Sequence, residues 1–258
     1  MRPTSMLLGV LGCLTVLVVS ASIGIAQDAV SDDALLAALD EARFLDDDVN
    51  RIEVRIVSET PDETREASIR LRFAEFEAGG FSRIEFLSPE ELAGQVYLNT
   101  PDAAYFFGPD LDFPIKTSAS TEVFGDAAVA QTSGIRFLGS YTIDARREVV
   151  GEDGVGRLEV DLAAIDFSVA FQAITVVVDP ETLRPLTMRL FALSGLPFYD
   201  VFFEAYETRD ETGDVYARTQ RIVNLLLVGR TTTSEILAIG AEELPASLFD
   251  PGALGATD

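Results

Sequence analysis

Histidine and tryptophan are absent from this 258-residue chain, cysteine occurs once, at Cys13, and Lys116 is the single lysine. Without histidine the most common general base and the most common zinc ligand near neutral pH are missing. One cysteine leaves no intrachain disulfide to hold a fold together, so the fold must rest on its core. Basic residues number 19 against 43 acids, a formal charge of −24. Phosphate recognition needs clustered Lys and Arg, so such a surface repels nucleic acid. It also disfavours stable docking on anionic lipid headgroups. A GxSxG elbow and a Walker-type glycine loop are missing as well, which removes two common frameworks for catalysis.

What is present is apolar. Hydrophobic residues make up 48% of the chain, enough for a sizeable core and too many for global disorder. The length suits one large domain or two small ones. At the N-terminus Arg2 precedes an apolar run over residues 6–19, and small residues follow to Ala26. That order predicts an export signal over residues 1–26, cut after Ala26 in Gly24-Ile25-Ala26. The alternative is an uncleaved anchor, because residues 6–26 are just long enough to span a bilayer. In either case the folded part faces the far side of the membrane. Cys13, preceded by Gly12, is a poor lipidation site because the apolar run continues past it. Cleavage would remove that thiol together with Arg2.

Ser31-Asp32-Asp33 opens an amphipathic helix, with a Ser cap, two acids at the positive helix end and Leu35, Leu36 and Leu39 on one stripe. It is predicted to stop near Phe44 or Leu45. The period then switches to two. Ile52, Val54 and Ile56 alternate with charged residues, as do Ile69, Leu71 and Phe73, then Ile84 and Phe86. These are half-buried antiparallel strands. Ser88-Pro89-Glu90-Glu91 reads as a brief capped helical turn. Strands follow at residues 95–98 and 103–107, and then at 141–150, 157–162, 169–178, 186–193, 201–206, 216–227 and 230–239. Strands at this spacing after one helix predict a single large curved or barrel-like sheet, with no linker dividing residues 27–258.

Three stretches resist this simple pattern. Residues 108–139 lose the alternation yet hold Phe113, Phe124, Ile135, Phe137 and Leu138 among Gly, Pro and Ser. A long connection so rich in apolar side chains reads as a flap over an apolar interior. Ala104-Tyr105-Phe106-Phe107 and Val201-Phe202-Phe203 are apolar on both faces, so each needs a cover or a ligand on its second face. Other motifs carry less. Gly151-Glu152-Asp153-Gly154-Val155-Gly156 sits between strands and is a hairpin turn, not a phosphate cradle. Asp46-Asp47-Asp48 lacks the glycine and distal glutamate of a calcium loop. Asp110 and Asp112 are a close pair of the kind 43 acids produce by chance.

Five segments together resemble the outer membrane lipoprotein-sorting proteins, relatives of the carrier LolA. They are Gly94-Gln95-Val96-Tyr97-Leu98, Tyr105-Phe106-Phe107-Gly108-Pro109, and Phe137-Leu138-Gly139-Ser140 with Asp144. Val178-Asp179-Pro180-Glu181-Thr182-Leu183-Arg184-Pro185-Leu186 and the closing residues 244–254, ending Phe249-Asp250-Pro251-Gly252-Ala253-Leu254, complete the set. A basic stretch that often follows the proline is reduced here to Ile115-Lys116. The resemblance implies a mainly β (α+β) fold, a half-open antiparallel β-barrel with an N-terminal helix and an apolar helical and loop lid. It implies a non-enzymatic periplasmic carrier of lipid or lipoprotein acyl chains, without cofactor or metal. A lipid-sensing regulatory module and an accessory subunit of a membrane transporter are the alternatives on the same fold. Expected partners are acyl chains, with an inner-membrane transporter or an outer-membrane acceptor beyond them, and the chain is expected to be a monomer. The flap and the two-faced strands single out Val96, Leu98, Phe106, Phe107, Phe113, Phe124, Phe137, Phe202 and Phe203 as cavity and lid candidates. Sequence leaves open which side of each strand faces inward, since a one-residue register shift reverses it.

The exported protein is expected to begin near Gln27. N-terminal sequencing checks this, and an intact Met1 on a soluble cytoplasmic product would overturn it.

Overall fold

Alternation of period two is the main architect of the structure, a computed structural model that describes residues 30–42, 49–77, 79–128, 135–167, 169–210 and 212–254. The expected export segment, Cys13 and the run Asp46-Asp47-Asp48 lie outside these residues. A helix, α1 (Asp32–Glu41), precedes the strands β1 (Arg51–Glu59), β2 (Thr64–Phe76), β3 (Gly79–Ser88), β4 (Val96–Asn99), β5 (Ala104–Phe107) and β6 (Ile115–Thr117). A small pair follows, β7 (Glu122–Phe124) and β8 (Ala127–Ala128). Then come β9 (Tyr141–Val150), β10 (Gly156–Ala164), β11 (Ala173–Val178) and β12 (Pro185–Phe191). The last strands are β13 (Pro197–Thr208), β14 (Val215–Asn224) and β15 (Thr231–Gly240).

All but β7 and β8 join one 13-stranded sheet in the order β6-β5-β4-β3-β2-β1-β15-β14-β13-β12-β11-β10-β9. Every pairing is antiparallel. The edge strands β6 and β9 do not pair with each other, so the sheet is an open, barrel-like one. The mainly β, half-open fold with an N-terminal helix is therefore what the chain adopts.

Register sorts the side chains. Ile52, Val54 and Ile56 stand opposite Leu71, Ile69 and Ala67, which brings the apolar residues to one face. The charged residues between them meet on the other face in cross-strand pairs: Arg55–Glu66 at 2.7 Å, Arg70–Glu53 at 2.9 Å, Arg189–Asp200 at 2.7 Å and Arg221–Glu204 at 2.9 Å. Exposed pairs of this kind contribute about 0.2–1 kcal/mol each. Their chief effect is on register, since a slip of one residue would bury the arginines.

Helix α1 begins as its sequence suggests. Ser31 Oγ accepts the Ala34 N–H at 3.3 Å, and Leu35, Leu36 and Leu39 are buried, each side chain contributing about 1.5–3 kcal/mol. The helix ends at Glu41, short of the expected Phe44, and residues 43–48 lie outside the described ones. Asp40 is buried there, and its carboxylate accepts the N–H groups of Phe137 and Leu138 at 2.9 Å. The helix is thereby fastened to the strap leading into β9.

Ser88 is the last residue of β3, and the brief turn after it closes on the Pro89 carbonyl, which accepts from Leu92 and Ala93 in the manner of one helical turn. Two expectations are corrected. Strand β11 starts at Ala173 because the chain before it is turn. Strand β14 stops at Asn224, whose Oδ1 accepts the N–H groups of Leu226 at 2.9 Å and Leu227 at 2.8 Å. That side chain folds the backbone away from the ladder, so residues 225–227 form a tip instead of a strand.

Residues 108–128 are less irregular than expected. Strand β6 extends the sheet, and the β7–β8 hairpin sits in its concavity. Gly125, at φ +59°, makes that seating possible: a Cβ there would lie 2.5 Å from Thr232 Oγ1 and 2.7 Å from Ser58 Cβ. Gly139 has a similar φ of +80° but open space around it. Gly125→Ala should therefore lower stability well beyond the roughly 1–2 kcal/mol that left-handed strain alone gives Gly139→Ala. Denaturant unfolding of the two variants measures the difference, and equal losses would show that the hairpin is not tightly seated.

Candidate functional site

The sheet has two faces, and the side chains divide between them more sharply than sequence could tell. On the concave face one buried cluster gathers Val54, Ile56, Ile69, Ile84, Phe86, Tyr97 and Phe124. A second gathers the α1 leucines with Phe137, Tyr141, Val160, Ile174, Leu190, Tyr199 and Val201. A third lies on the convex side of β2–β5, where the C-terminal segment crosses. There Val96 and Leu98 pack with Phe249 and Leu254, with Tyr105 and Phe107 against them. Phe249 is 5.8 Å from the Phe76 ring and 6.2 Å from Phe81, and Arg83 Nη1 donates to the Leu248 carbonyl at 3.1 Å.

The candidates fall on both faces of the sheet. Phe106 is concave, paired with Tyr97 at 4.9 Å between ring centres. Val96, Leu98 and Phe107 are turned the other way, under the C-terminal segment, because Tyr97 and Phe106 face each other across β4 and β5. Phe124 and Phe137 are buried covers of the concavity in separate clusters. Phe203 packs against the α1-side cluster. Its neighbour Phe202 is on the outer face, 4.2 Å beneath the Arg221 guanidinium. Phe113 covers nothing and is 68% exposed.

Between the two covers, α1 and the β7–β8 hairpin, the concave face stays half-buried at Ile52, Phe73, Phe106, Phe203 and Ile236. It also opens sideways. Strands β14 and β15 pair only from Val223↔Thr231 to Thr219↔Glu235. Past that point they follow different neighbours, and a cleft of about 460 Å³ lies in the fork, lined by Arg209, Tyr216 and residues 236–239. A second depression of about 390 Å³ adjoins Val96, Phe107 and Leu254 on the tail side, with Arg70, Arg83 and Glu85 in its wall.

The polar anchor of the interior was not legible beforehand. Asp126 is wholly buried. Its Oδ1 accepts from Asn224 Nδ2 at 2.7 Å, and its backbone N–H donates to Thr232 Oγ1 at 2.8 Å. Arg230 Nε lies 3.1 Å from Asp126 Oδ2, an ion pair bent outside hydrogen-bond geometry, while Nη2 donates to the Gly125 carbonyl at 3.2 Å. Tyr199 donates to Glu122 Oε1 at 3.3 Å. Burial, and then the carboxylates Glu122 and Asp126, push the Tyr199 hydroxyl far above its ordinary range. Burial raises Tyr97 as well. Glu85 shifts the other way: burial opposes its charge, but Arg83 and Arg72 outweigh that and hold it below the usual range. Among the described residues no cluster of acids and thiols could hold a metal ion. What the arrangement offers chemically is apolar surface with a pinned internal hairpin.

Removing the half-buried partner of the buried Asp126 isolates the worth of the pair. Arg230→Met should destabilise by about 3 kcal/mol by stranding the Asp126 charge, and adding Asp126→Asn should recover most of that loss. Chemical denaturation of both variants tests it, and a loss under about 1 kcal/mol in the single variant would show the hairpin is held by its apolar contacts alone.

Comparison with known proteins follows this geometry. No curated protein matches the sequence. A LolA superfamily protein from Nitrosomonas europaea superposes with a TM-score of 0.77 at 22% identity, over 86% of this chain and 98% of the other. An outer membrane lipoprotein-sorting protein domain, so named provisionally, from Vibrio parahaemolyticus gives 0.72 at 17% identity, over 85% and 96%. A DUF1329 family protein from Desulfovibrio piger gives 0.71 at 15%, over 86% and 97%. A family model described as "Uncharacterized protein" matches residues 81–256, more than half of the chain. The chain therefore belongs to that family, and its fold is LolA-like.

Proposed function

We propose that this protein is a non-enzymatic carrier of acyl chains, exported to the periplasm, which shelters a lipid or lipoprotein tail against its concave face. The supporting observation is the set of half-buried apolar side chains Ile52, Phe73, Phe106 and Ile236 in one cluster and Phe203 against another, on either side of the fork between β14 and β15. A tail laid along them would gain about 0.8 kcal/mol per CH₂ removed from water. The fork gives such a chain a lateral way in and out. The neighbour named for lipoprotein sorting shares the fold, which agrees with this reading. Of the candidates named from sequence, Phe106 and Phe203 are assigned to the tail-binding surface. Phe124 and Phe137 serve as its covers, while Val96, Leu98, Phe107, Phe113 and Phe202 have no part in it. The exported chain forms this carrier as one domain over residues 27–258 and acts as a monomer. Its onward partners are a membrane transporter or an outer-membrane acceptor.

Native mass spectrometry of the freshly purified protein, with lipid extraction, should find acyl-chain lipid bound. A fluorescent fatty acid should compete for the same place. Phe203→Asn and Ile236→Asn should weaken that competition about tenfold or more, consistent with about 1.5–3 kcal/mol per large side chain, while the protein stays folded. A wild-type protein that carries no lipid and ignores the fatty acid would overturn the reading.

A further inference from the structure

Along β9–β15 the two ends of the sheet differ in chemistry, although the same strands make both; beyond them the β1–β2 turn, with Asp62 and Glu63, adjoins the apolar end, where Pro61 faces Gly229. At one end the turns β9–β10, β11–β12 and β13–β14 read Gly151-Glu152-Asp153-Gly154-Val155, Asp179-Pro180-Glu181-Thr182-Leu183-Arg184 and Arg209-Asp210-Glu211-Thr212-Gly213-Asp214, with nine charged residues. At the other end lie the turns β10–β11, β12–β13 and β14–β15. They contain Ile165-Asp166-Phe167, Ala192-Leu193-Ser194-Gly195-Leu196 and Leu225-Leu226-Leu227-Val228-Gly229-Arg230, where Asp166 and Arg230 are the charges and Arg230 is paired with Asp126 and Glu122. The meander puts these three tips side by side, two strands or roughly 10 Å apart. Their apolar side chains stand in solvent: Phe167 is 81% exposed, Leu193 74% and Val228 92%, with Ile165, Leu196 and Leu226 also exposed.

We propose that this end of the sheet docks on a lipid bilayer of neutral or zwitterionic headgroups, the three tips entering its interfacial layer. Exposed apolar side chains gathered at one end of an otherwise charged molecule mark an interaction site. Their shape selects the occupant. Each residue stands on a separate exposed turn, whereas a protein partner needs a closely complementary surface. A fluid acyl layer accepts separated protrusions. The backbone is suited to leaving water as well, since the tips close many of their own hydrogen bonds. Ala192 N–H donates to the Leu196 carbonyl at 3.0 Å and Gly195 N–H to Ala192 at 2.8 Å. Leu225 N–H donates to Phe198 at 3.0 Å, and Asn224 Oδ1 takes the next two N–H groups. Charge selects the lipid. A chain of net charge −24, whose one base in these tips, Arg230, is paired with Asp126 and Glu122, gains nothing from anionic headgroups.

Docking concerns a different surface from the concave face, so the two readings can fail separately. The exported protein is floated with phosphatidylcholine vesicles, and with vesicles containing phosphatidylglycerol. Wild type should bind the first at low and high salt alike, and bind the second more weakly at low salt. The triple variant Phe167→Asp, Leu193→Asp, Val228→Asp should lose at least tenfold in vesicle binding. Its melting temperature and its competition with the fluorescent fatty acid should stay unchanged. Val150→Asp, exposed at the charged end, should bind like wild type. Wild type that ignores phosphatidylcholine, or a triple variant that binds it normally, would overturn the proposal. So would a wild-type dimer that the triple variant dissolves without vesicle binding in either, which would give the tips to a second copy of the chain.

Discussion

The carboxylate of Asp126 is the contact on which the interior depends. It is buried without exposure, and a charge so placed is tolerated only when it is paired and hydrogen-bonded. Asn224, Thr232 and Arg230 supply those partners from β14 and β15 and the turn joining them. The consequence is geometric. The β7–β8 hairpin cannot shift within the concavity without stranding that charge, so Phe124 and Ala127 are held where the apolar clusters meet. Asn224 also shapes the apolar tip through its Oδ1. One amide side chain thus faces the internal hairpin with its nitrogen and the exposed tip with its oxygen.

Much of this was legible in the sequence, and the reasons for the remainder are physical. Period-two alternation found the strands because one face of an antiparallel sheet is wetted and the other is not. The helix cap at Ser31 was equally direct. Sidedness failed where alternation failed. Ala104-Tyr105-Phe106-Phe107 is apolar on both faces because the C-terminal segment covers the convex one, and that cover lies more than 130 residues later in the chain. Phe202 reads as a core residue by type but stacks under Arg221 on the outer face. Asp126 could not have been chosen among 43 acids, since its partners are about 100 residues away. The nearest signal was Gly125, whose need for a left-handed backbone and close approach a sequence does not announce.

The asymmetry of the ends has a counterpart in the asymmetry of the faces. Arginine, not lysine, supplies almost all positive charge, and it is spent in cross-strand pairs with carboxylates on the outer surface. Its planar fork suits bidentate pairing, as in the two bonds from Arg189 to Asp200 at 2.7 and 2.8 Å. Bases engaged in this way define register and leave the acids in excess elsewhere. The strongly acidic charge is therefore carried chiefly by turns and by the solvated face, while the concave face, apart from the group around Asp126, and the three tips remain largely apolar.

That partition bears on how a bound chain could leave. Histidine is the side chain whose charge ordinarily changes between pH 5 and 8, and this protein has none. The shifts that are resolved move groups away from neutrality: Tyr97, Tyr199 and Tyr216 upward, and Glu66, Glu85, Asp153, Asp179 and Glu207 downward. For the tyrosines, stability tied to the neutral hydroxyl persists below their usual range and is lost only as the pH climbs above it. For the carboxylates, stability tied to the charge persists above their usual range and is lost only as the pH falls below it. Between these limits none of these groups changes charge. None of these shifted groups supplies a pH trigger in the neutral range, so under the proposed carrier role release of a tail would rest on competition for it, by a partner or by the bilayer itself. The fork between β14 and β15 would serve that exchange at the end of the sheet opposite the three apolar tips.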